Sequence, residues 1–170
     1  MPRQLLILRH AKSSWDSGAA SDFERPLGER GERDAPRMGE WLNGQELKPD
    51  HIISSPAERA RQTILAVCEQ LGVDKQEIHW DERIYGGSTG DLLQVLAEVP
   101  DTAETVMLVG HNPGLENLVL YLCGESVVIP ANGKLLPTAA LARMELTAQW
   151  QQLQAGNARK LSVVRPKDIC

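Results

Sequence analysis

The sequence is poor in the residues that mark membrane, nucleic-acid-binding and disulfide-rich proteins. Its 170 residues include four Trp, two Tyr, one Phe and three Cys, and the net charge is −5. An acidic chain without a run of Lys and Arg disfavours nucleic acid as the main ligand. No apolar run approaches the roughly 20 residues of a membrane-spanning helix, and no C-x-x-C pair indicates a zinc or redox site. These absences predict a cytoplasmic protein that binds no membrane and has one domain, residues 1–170.

The apolar residues that are present form short runs, which alternate with longer helical patterns. Strands are predicted over Gln4–Arg9, His51–Ser54, Glu77–Trp80, Thr105–Val109, Ala140–Leu146 and Leu161–Val164. Helices are predicted over Asp91–Val99, over Pro113–Leu122, and from Ser55 to Gly72 with Ser55 as N-cap and Pro56 at the first position. Strands that alternate with helices predict the α/β class, as a three-layer α/β/α sandwich with a mostly parallel central sheet.

The segment Leu27–Asn43 allows two interpretations. Met38, Trp41 and Leu42 indicate a helix, but Pro36 fits poorly inside one because it lacks a backbone N–H. The helix therefore either begins near Asp34, as its N-cap, or is kinked at Pro36.

Several familiar phosphate and nucleophile motifs are missing. The sequence has no P-loop, no dinucleotide-binding G-x-G-x-x-G after the first strand, and no G-x-S-x-G elbow. The Arg that cysteine phosphatases carry six residues after their Cys is absent, since Asp74 and Ile129 stand at that distance from Cys68 and Cys123. No two His have the i, i+4 spacing of a helical metal pair. We therefore expect neither a metal nor a cofactor.

Two histidines and two arginines remain at positions where a ligand binds in this class of fold. His10 and His111 follow the two strongest buried strands, and ligands of parallel sheets bind at the carboxyl ends of strands. Arg9 directly precedes His10. Arg59 falls in the first turn of a helix, where free N–H groups favour an anion. Because a guanidinium suits phosphate geometry, the four residues predict a phosphoryl site.

The chemistry that fits these residues is nucleophilic. A neutral imidazole nitrogen can attack phosphorus and form a phosphohistidine, which water then hydrolyses. Arg9 and Arg59 would disfavour protonation of His10 and stabilise the charge on the transferred group. Taken singly, a His at a strand end is more often a satisfied polar residue than a nucleophile, and an Arg near a helix start is usually a surface charge. His51 and His79 have no such neighbours and are interpreted as structural or solvent-facing.

Three blocks of the sequence, in this order, carry a resemblance to a known family. They are Leu8-Arg9-His10-Ala11-Lys12, then Ser54 to Thr63, and then Val109-Gly110-His111-Asn112-Pro113-Gly114. The chain resembles the histidine phosphatase superfamily, in its phosphoglycerate-mutase-like branch, and is most similar to the SixA family of phosphohistidine phosphatases. The resemblance runs from Leu5 to about Arg165. It implies a phosphoglycerate-mutase-like fold and a phosphatase that needs no metal.

The resemblance also implies roles for individual residues. His10 would be the nucleophile, while Arg9, Arg59 and His111 would complete the phosphate pocket, with His111 charged when phosphate is bound. Glu82 lies in a segment similar to the one that carries the proton donor of mutase-like members, so it is the candidate general acid. An exposed loop carboxylate is the alternative for Glu82. Further substrate contacts are expected from Lys12, Ser13 and Asn112.

Three departures from the family pattern bear on the substrate. Ala11 replaces the usual Gly, Lys12 replaces an acidic residue, and Asp16 replaces an Asn near the phosphate. Trp15 either lines the mouth of the pocket or covers the core. The short chain has little room for a segment that roofs the site, which favours a phosphohistidine-bearing protein as substrate. The alternatives are a small phosphomonoester, such as a sugar phosphate or nucleotide, and a phospho-ligand binding module without catalysis.

Overall fold

A computed structural model describes residues 2–124 and 127–169. The strands are β1 (Arg3–Arg9), β2 (His51–Ser54), β3 (Ile78–Trp80), β4 (Thr105–Gly110), β5 (Leu141–Leu146) and β6 (Ala158–Val164). The helices are α1 (Glu29–Gly44), α2 (Glu58–Leu71), α3 (Thr89–Ala97) and α4 (Gly114–Cys123). Short 3₁₀ turns fill several of the connections, including Glu82–Ile84 after β3.

The strands form one mixed sheet in the order β3-β2-β4-β1-β5-β6. The first four of these pair in parallel, while β5 runs antiparallel to both β1 and β6. Strands β1 and β4 lie side by side at the centre, with Arg9 opposite Gly110. The segments that follow β1, β2, β3 and β4 therefore all leave the sheet along one edge.

Helices cover both faces of the sheet, which confirms the predicted three-layer arrangement. Alternate residues of β1 point to opposite faces because side chains alternate along a strand. Leu5 and Ile7 belong to one core with α3 and α4, whereas Leu6 and Leu8 belong to the other with α1 and α2. All four leucine and isoleucine side chains are fully buried. Burial on both faces explains why these runs do not alternate in polarity.

The predicted elements exist, but two helix starts differ from the predictions. Helix α2 begins at Glu58, not at Ser55-Pro56, and its N-cap is Ala57 with no side-chain hydrogen bond. The first helical N–H, of Glu58, is instead bound by the Phe23 carbonyl, 2.9 Å away. A tertiary contact thus replaces the cap that local sequence predicts. The other end is as expected, because Gly72 closes α2 with a left-handed backbone.

Helix α1 rules out the first of the two interpretations of its segment. It starts at Glu29, so Asp34 is not its N-cap, and it contains Pro36 in its interior, as the second interpretation requires. Gly31 lies against the backbone that follows His10, and a Cβ at this glycine would come within 2.1 Å of the Lys12 carbonyl oxygen. Packing against this backbone fixes the start of α1 beside the end of β1. None of the described helices is long and apolar enough to span a membrane.

Candidate active site

The ends of β1 and β4 bring His10 and His111 together. The His10 N–H donates to the Gly110 carbonyl at 3.1 Å, and the two imidazole centroids are 5.1 Å apart. Both side chains are buried. Because adjacent parallel strands end at the same edge, two residues 101 positions apart in the chain become neighbours. This is the juxtaposition that the sequence predicts.

His10 is held as a neutral ring with one nitrogen free. Its Nδ1 lies 2.7 Å from the Ala11 carbonyl oxygen. A carbonyl can only accept, so Nδ1 carries the proton and Nε2 keeps its lone pair. Burial lowers the pKa of His10 to about 4, although the hydrogen bond to Ala11 opposes this, and the charges of Arg59, Arg9 and Arg25 lower it further. Burial therefore lowers the pKa of His10 more than the neighbouring arginines do, although the sequence points to the arginines alone.

His111 is oriented by Ser55 and Tyr85. Its Nε2 lies 2.8 Å from the Ser55 hydroxyl oxygen, which also accepts a hydrogen bond from the Ala57 N–H. In the tautomer in which the Ser55 hydroxyl donates to His111 Nε2, the ring proton lies on Nδ1. Burial lowers the pKa of His111 to about 3, helped by His10 and Arg59 and opposed by Asp22. The ring of Tyr85 contacts His111 edge-on, with centroids 5.4 Å apart.

Arg9 and Arg59 reach the site from two different elements. Arg9 ends β1 and donates from Nη1 to the Leu136 carbonyl at 3.0 Å. Arg59 lies in the first turn of α2, and its side chain is only 7% exposed. Burial also lowers the pKa of Arg9, while the carboxylate of Glu116 opposes that shift. Two guanidiniums thus lie in a largely desolvated setting beside two neutral imidazoles.

Several buried polar atoms of this cluster have no hydrogen-bond partner among the described residues. Such atoms are uncommon in folded proteins, because leaving a buried donor unpaired costs about 1–3 kcal/mol. Their clustering at one place indicates that the site is built to bind a polar ligand. The atoms are Arg9 Nε, Arg25 Nε, Arg59 Nε, His111 Nδ1 and Asn112 Oδ1.

A carboxylate that the sequence analysis did not single out neutralises part of this cluster. Asp22 accepts hydrogen bonds from Arg59 Nη2 at 3.0 Å, from the Tyr85 hydroxyl at 2.6 Å and from Arg25 Nη2 at 3.0 Å. Its own carbonyl accepts a further bond from Arg59 Nη1 at 2.7 Å. These donors, the Tyr85 hydroxyl first, hold the pKa of Asp22 well below its usual range.

The loop that carries Asp22 is closed at its base. Ser13 and Leu27 form an antiparallel bridge, and the Ser14 N–H donates to the Pro26 carbonyl at 2.9 Å. Within the loop, Arg25 donates to the Ser13 hydroxyl and lies over the ring of Trp15, 3.8 Å from its centroid. Trp15 is 75% exposed, so it belongs to the loop surface and not to the core.

The remaining predicted site residues differ in their contacts and in their exposure to solvent. Asn112 donates from Nδ2 to the Leu136 carbonyl at 2.9 Å, the same carbonyl that Arg9 binds. Lys12 is exposed and lines one cavity with Arg9 and Asn112. Glu82 is exposed in the 3₁₀ turn that leads to Tyr85. Ser13 is buried under Arg25, and Asp16 is exposed.

The arrangement suits the transfer of an anionic group to a nitrogen nucleophile. It offers one uncharged imidazole with a free lone pair, two fixed guanidiniums, and a second imidazole with a free N–H. Within residues 2–124 and 127–169, no group of three or more His, Cys, Asp or Glu is placed to hold a metal ion. The cationic donors are protein side chains, and they stabilise developing negative charge because they are fixed before reaction.

Comparison with known proteins gives one consistent family. The sequence profile of the histidine phosphatase superfamily (branch 1) matches residues 5–104. The phosphohistidine phosphatase SixA of Escherichia coli is 30% identical over 156 residues, which is 87% of this chain and 92% of that protein. The crystal structure of the protein assigned as phosphohistidine phosphatase SixA in Agrobacterium tumefaciens is 29% identical. It has a TM-score of 0.81 and covers 98% of this chain and 99% of its own.

A solved structure of the protein histidine phosphatase SixA complexed with tungstate gives the same fold. It has a TM-score of 0.81 at 25% identity, and covers 98% of this chain and 99% of that one. These similarities extend over nearly the whole chain, beyond the residues that the superfamily profile matches.

Proposed function

Because the chain belongs to branch 1 of the histidine phosphatase superfamily, and is a metal-independent phosphatase, we propose that it hydrolyses phosphohistidine on another protein. The reaction proceeds through a phosphohistidine of its own, formed at His10. The observation that carries the proposal is the fixed tautomer of His10, whose Nδ1–H donates to the Ala11 carbonyl at 2.7 Å. This bond aims an unprotonated Nε2 away from the strand, beside Arg9, Arg59 and His111.

The first step transfers the phosphoryl group to the enzyme. The lone pair of His10 Nε2 attacks phosphorus, and the P–N bond of the substrate breaks with its electron pair returning to the substrate imidazole. The far nitrogen of that ring takes a proton from solvent, so the leaving group departs as neutral imidazole. The unpartnered donors Arg9 Nε, Arg59 Nε and His111 Nδ1 stabilise the oxygens of the transferred group.

The second step returns His10 to its starting state. The oxygen of a water molecule bonds to phosphorus while the bond between phosphorus and His10 Nε2 breaks, and inorganic phosphate is released. The water proton passes to solvent. With a phosphate ester, the Glu82 carboxyl group would have to protonate an alkoxide in the first step, a demand that phosphohistidine does not make. Lys12 and Asn112 contribute substrate contacts from the cavity that they line with Arg9, while the buried Ser13 holds Arg25.

Two features favour a protein-borne phosphohistidine over a small phosphomonoester. Lys12, which lines a cavity with Arg9, is exposed, as are Trp15 in the loop after β1 and Glu82 in the turn after β3, so a side chain displayed on another protein can reach the site. Among the relatives that match almost the whole chain, the SixA proteins of Escherichia coli and Agrobacterium tumefaciens are named phosphohistidine phosphatases. A small phosphomonoester is the second candidate for the same pocket.

The test of the nucleophile compares His10→Asn with the wild type on a phosphohistidine peptide and on a chromogenic phosphate ester. We expect turnover of both substrates to be abolished, because Asn has no nucleophilic ring nitrogen. His79→Asn is the matched control, since His79 is exposed and stacks on His51 with centroids 4.4 Å apart. Turnover that survives in His10→Asn would overturn the proposed intermediate.

The test of the substrate class uses Glu82→Gln. We expect the variant to lose most activity on the ester, whose alkoxide needs a proton, and to keep most activity on phosphohistidine. The ratio of the two kcat/KM values is the readout. Equal losses on both substrates would favour the small phosphomonoester over protein phosphohistidine.

A further inference from the structure

A broad basic groove lies beside the candidate active site, along helix α1. It has a volume of about 460 Å³, and is lined by six of the chain's 18 Lys and Arg but by only one of its 23 Asp and Glu. On a chain of net charge −5, this is a local concentration of positive charge that the average composition conceals. The cations are Arg30, Arg33, Arg37, Lys134, Arg165 and Lys167.

Three of these cations come from one face of α1. Arg30, Arg33 and Arg37 follow the i, i+3, i+7 spacing that aligns side chains along a helix. The one carboxylate of the groove, Asp34, is buried and lies 3.5 Å from Arg30 and 3.8 Å from Arg37. Even with Lys167 left out, one acid against five cations leaves the groove with an excess of positive charge.

A second cavity of about 350 Å³ connects the groove to the active site. It is lined by Arg30 and Lys134 of the groove and by Arg9 and Asn112 of the active site. The wall between the two regions is the segment 134–138. Its Leu136 carbonyl accepts bonds from Arg9 and Asn112, and its neighbouring Leu135 carbonyl accepts one from Arg165 at 3.1 Å. The second cavity is also lined by Lys12 and by one carboxylate, Glu116, so four cations against one acid extend the positive charge from the groove to the candidate active site.

The exposure of the groove arginines separates this region from a second phosphate pocket. The side chains of Arg30 and Arg37 are 58% and 48% exposed, whereas that of Arg59 in the active site is 7% exposed. A single small anion gains little from half-exposed, water-screened cations. A row of such side chains over an open groove instead fits an extended acidic surface, which contacts many of them together.

We propose that this groove docks an acidic segment of the phosphorylated protein, next to the phosphohistidine that enters the active site. The inference rests on the proposed function, and adds to it a rule for substrate choice: acidic neighbours of the phosphohistidine favour turnover. The groove acts on binding, so it raises kcat/KM through KM and leaves the chemical step unchanged. Substrates too small to reach the groove do not depend on it.

The test uses two phosphohistidine peptides of equal length, one flanked by Glu and the other by Lys, beside a chromogenic phosphate ester. The groove variant is Arg33→Glu combined with Arg37→Glu, two exposed positions of α1 in the groove. The matched control is Lys48→Glu combined with Lys75→Glu. These exposed residues precede β2 and β3, at the edge of the sheet away from the active site.

At low salt, we expect the wild type to prefer the Glu-flanked peptide by about tenfold or more in kcat/KM. The groove variant loses this preference through a rise in KM, while its kcat/KM on the ester stays within about twofold of the wild type. The control variant keeps both values near those of the wild type.

Other outcomes would overturn the inference in distinguishable ways. If the wild type hydrolyses the ester through His10 but neither peptide, the proposed function and the docking both fail. If it hydrolyses the peptides and the groove variant matches the control variant, only the docking fails. Loss of ester activity in the groove variant would assign the groove to the pocket itself. Tight binding of inorganic tripolyphosphate, lost in the groove variant while peptide kinetics stay unchanged, would assign the groove to free polyphosphates instead.

Discussion

Two basic regions lie side by side in this protein, and they differ in how their cations are held. In the active site, Arg9 donates to a backbone carbonyl, and Arg59 donates to both the carbonyl and the carboxylate of Asp22. In the groove, Arg33 and Lys134 are exposed to solvent. The first region is therefore preorganised and weakly screened, while the second is adaptable and strongly screened.

This difference separates two tasks that positive charge can perform. Buried and fixed donors discriminate by geometry, because they match the oxygens of one phosphoryl group as charge moves across it. Exposed side chains discriminate by net charge alone, because each can move to meet its partner. Substitutions that keep the charge but change the geometry should therefore change kcat/KM much more in the active site than in the groove. Substitutions that change the charge should change kcat/KM in both regions.

The largest effect is expected for Arg59→Lys, which keeps the charge and removes the planar guanidinium. We expect kcat/KM to fall by about 100- to 1,000-fold on the ester and on both peptides, because an ammonium cannot replace the donors of Arg59. In the groove, Arg33→Lys should change kcat/KM on the Glu-flanked peptide by no more than about twofold. Equal effects of the two substitutions would remove the distinction between the regions.

The next effect concerns stability in acid, and arises only in the buried region. Folding lowers the pKa of His10 to about 4 and that of His111 to about 3, from an ordinary value near 6.5. Between about pH 6.5 and 4 the unfolded chain therefore binds protons that the folded chain does not. The free energy of unfolding should fall on acidification, by up to about 1.4 kcal/mol per pH unit for each histidine.

The variant that isolates this effect is His111→Gln, which removes one of the two titrating groups. Urea unfolding at pH 6 and pH 5 should show a smaller loss of stability for it than for the wild type. In the groove, Arg33→Gln combined with Lys134→Gln should leave the dependence on pH unchanged, since it keeps both buried histidines. If His111→Gln lost as much stability between pH 6 and pH 5 as the wild type does, this result would contradict the buried, uncharged state of His111.

The sequence predicts the two central strands, and Arg9, His10 and His111 at their ends, for a physical reason. Strands buried on both faces have continuous apolar runs, and residues directly after parallel strands must share one edge. No such pattern predicts the positions of Asp22 and Arg25, because they depend on how an irregular loop packs against α2, or that of Tyr85, which lies in a separate turn after β3. In the sequence, the sign of this cluster is a pair of opposite charges, Asp22 and Arg25, three residues apart in a loop between two elements.

The failed prediction at Ser55 has the same origin. A Ser followed by Pro is typical of a helix start, yet Ser55 binds His111 Nε2 at 2.8 Å and the Phe23 carbonyl binds the first N–H of α2. Ser55 therefore does not serve as the N-cap of α2, and its hydroxyl belongs to the candidate site instead. At this position, contacts with the rest of the fold outweigh the local preference of Ser-Pro for a helix start.

A smaller effect is expected for Asp22→Asn, which removes a negative charge held by the active-site cations. Asp22 competes with a phosphate for Arg59, because its carboxylate binds Arg59 Nη2 at 3.0 Å. We expect inorganic phosphate to inhibit Asp22→Asn at a roughly three- to tenfold lower concentration than the wild type. Glu24→Gln, in the same loop but exposed and outside this network, should leave the inhibition constant unchanged. Weaker inhibition would show that Asp22 is needed to orient Arg59.

The smallest effect is expected for Asp34→Asn, which removes the one carboxylate of the groove. Asp34 lies 3.5 and 3.8 Å from Arg30 and Arg37, so its loss should raise kcat/KM on the Glu-flanked peptide by about two- to threefold at low salt. Glu69→Gln, an exposed carboxylate near the far end of α2, is the matched control and should have no effect. If kcat/KM on the Glu-flanked peptide were no higher in Asp34→Asn than in Glu69→Gln, this result would show that the groove does not select substrates by charge. Because the gain depends on screening, it should also disappear at high salt, while the loss in Arg59→Lys should persist there.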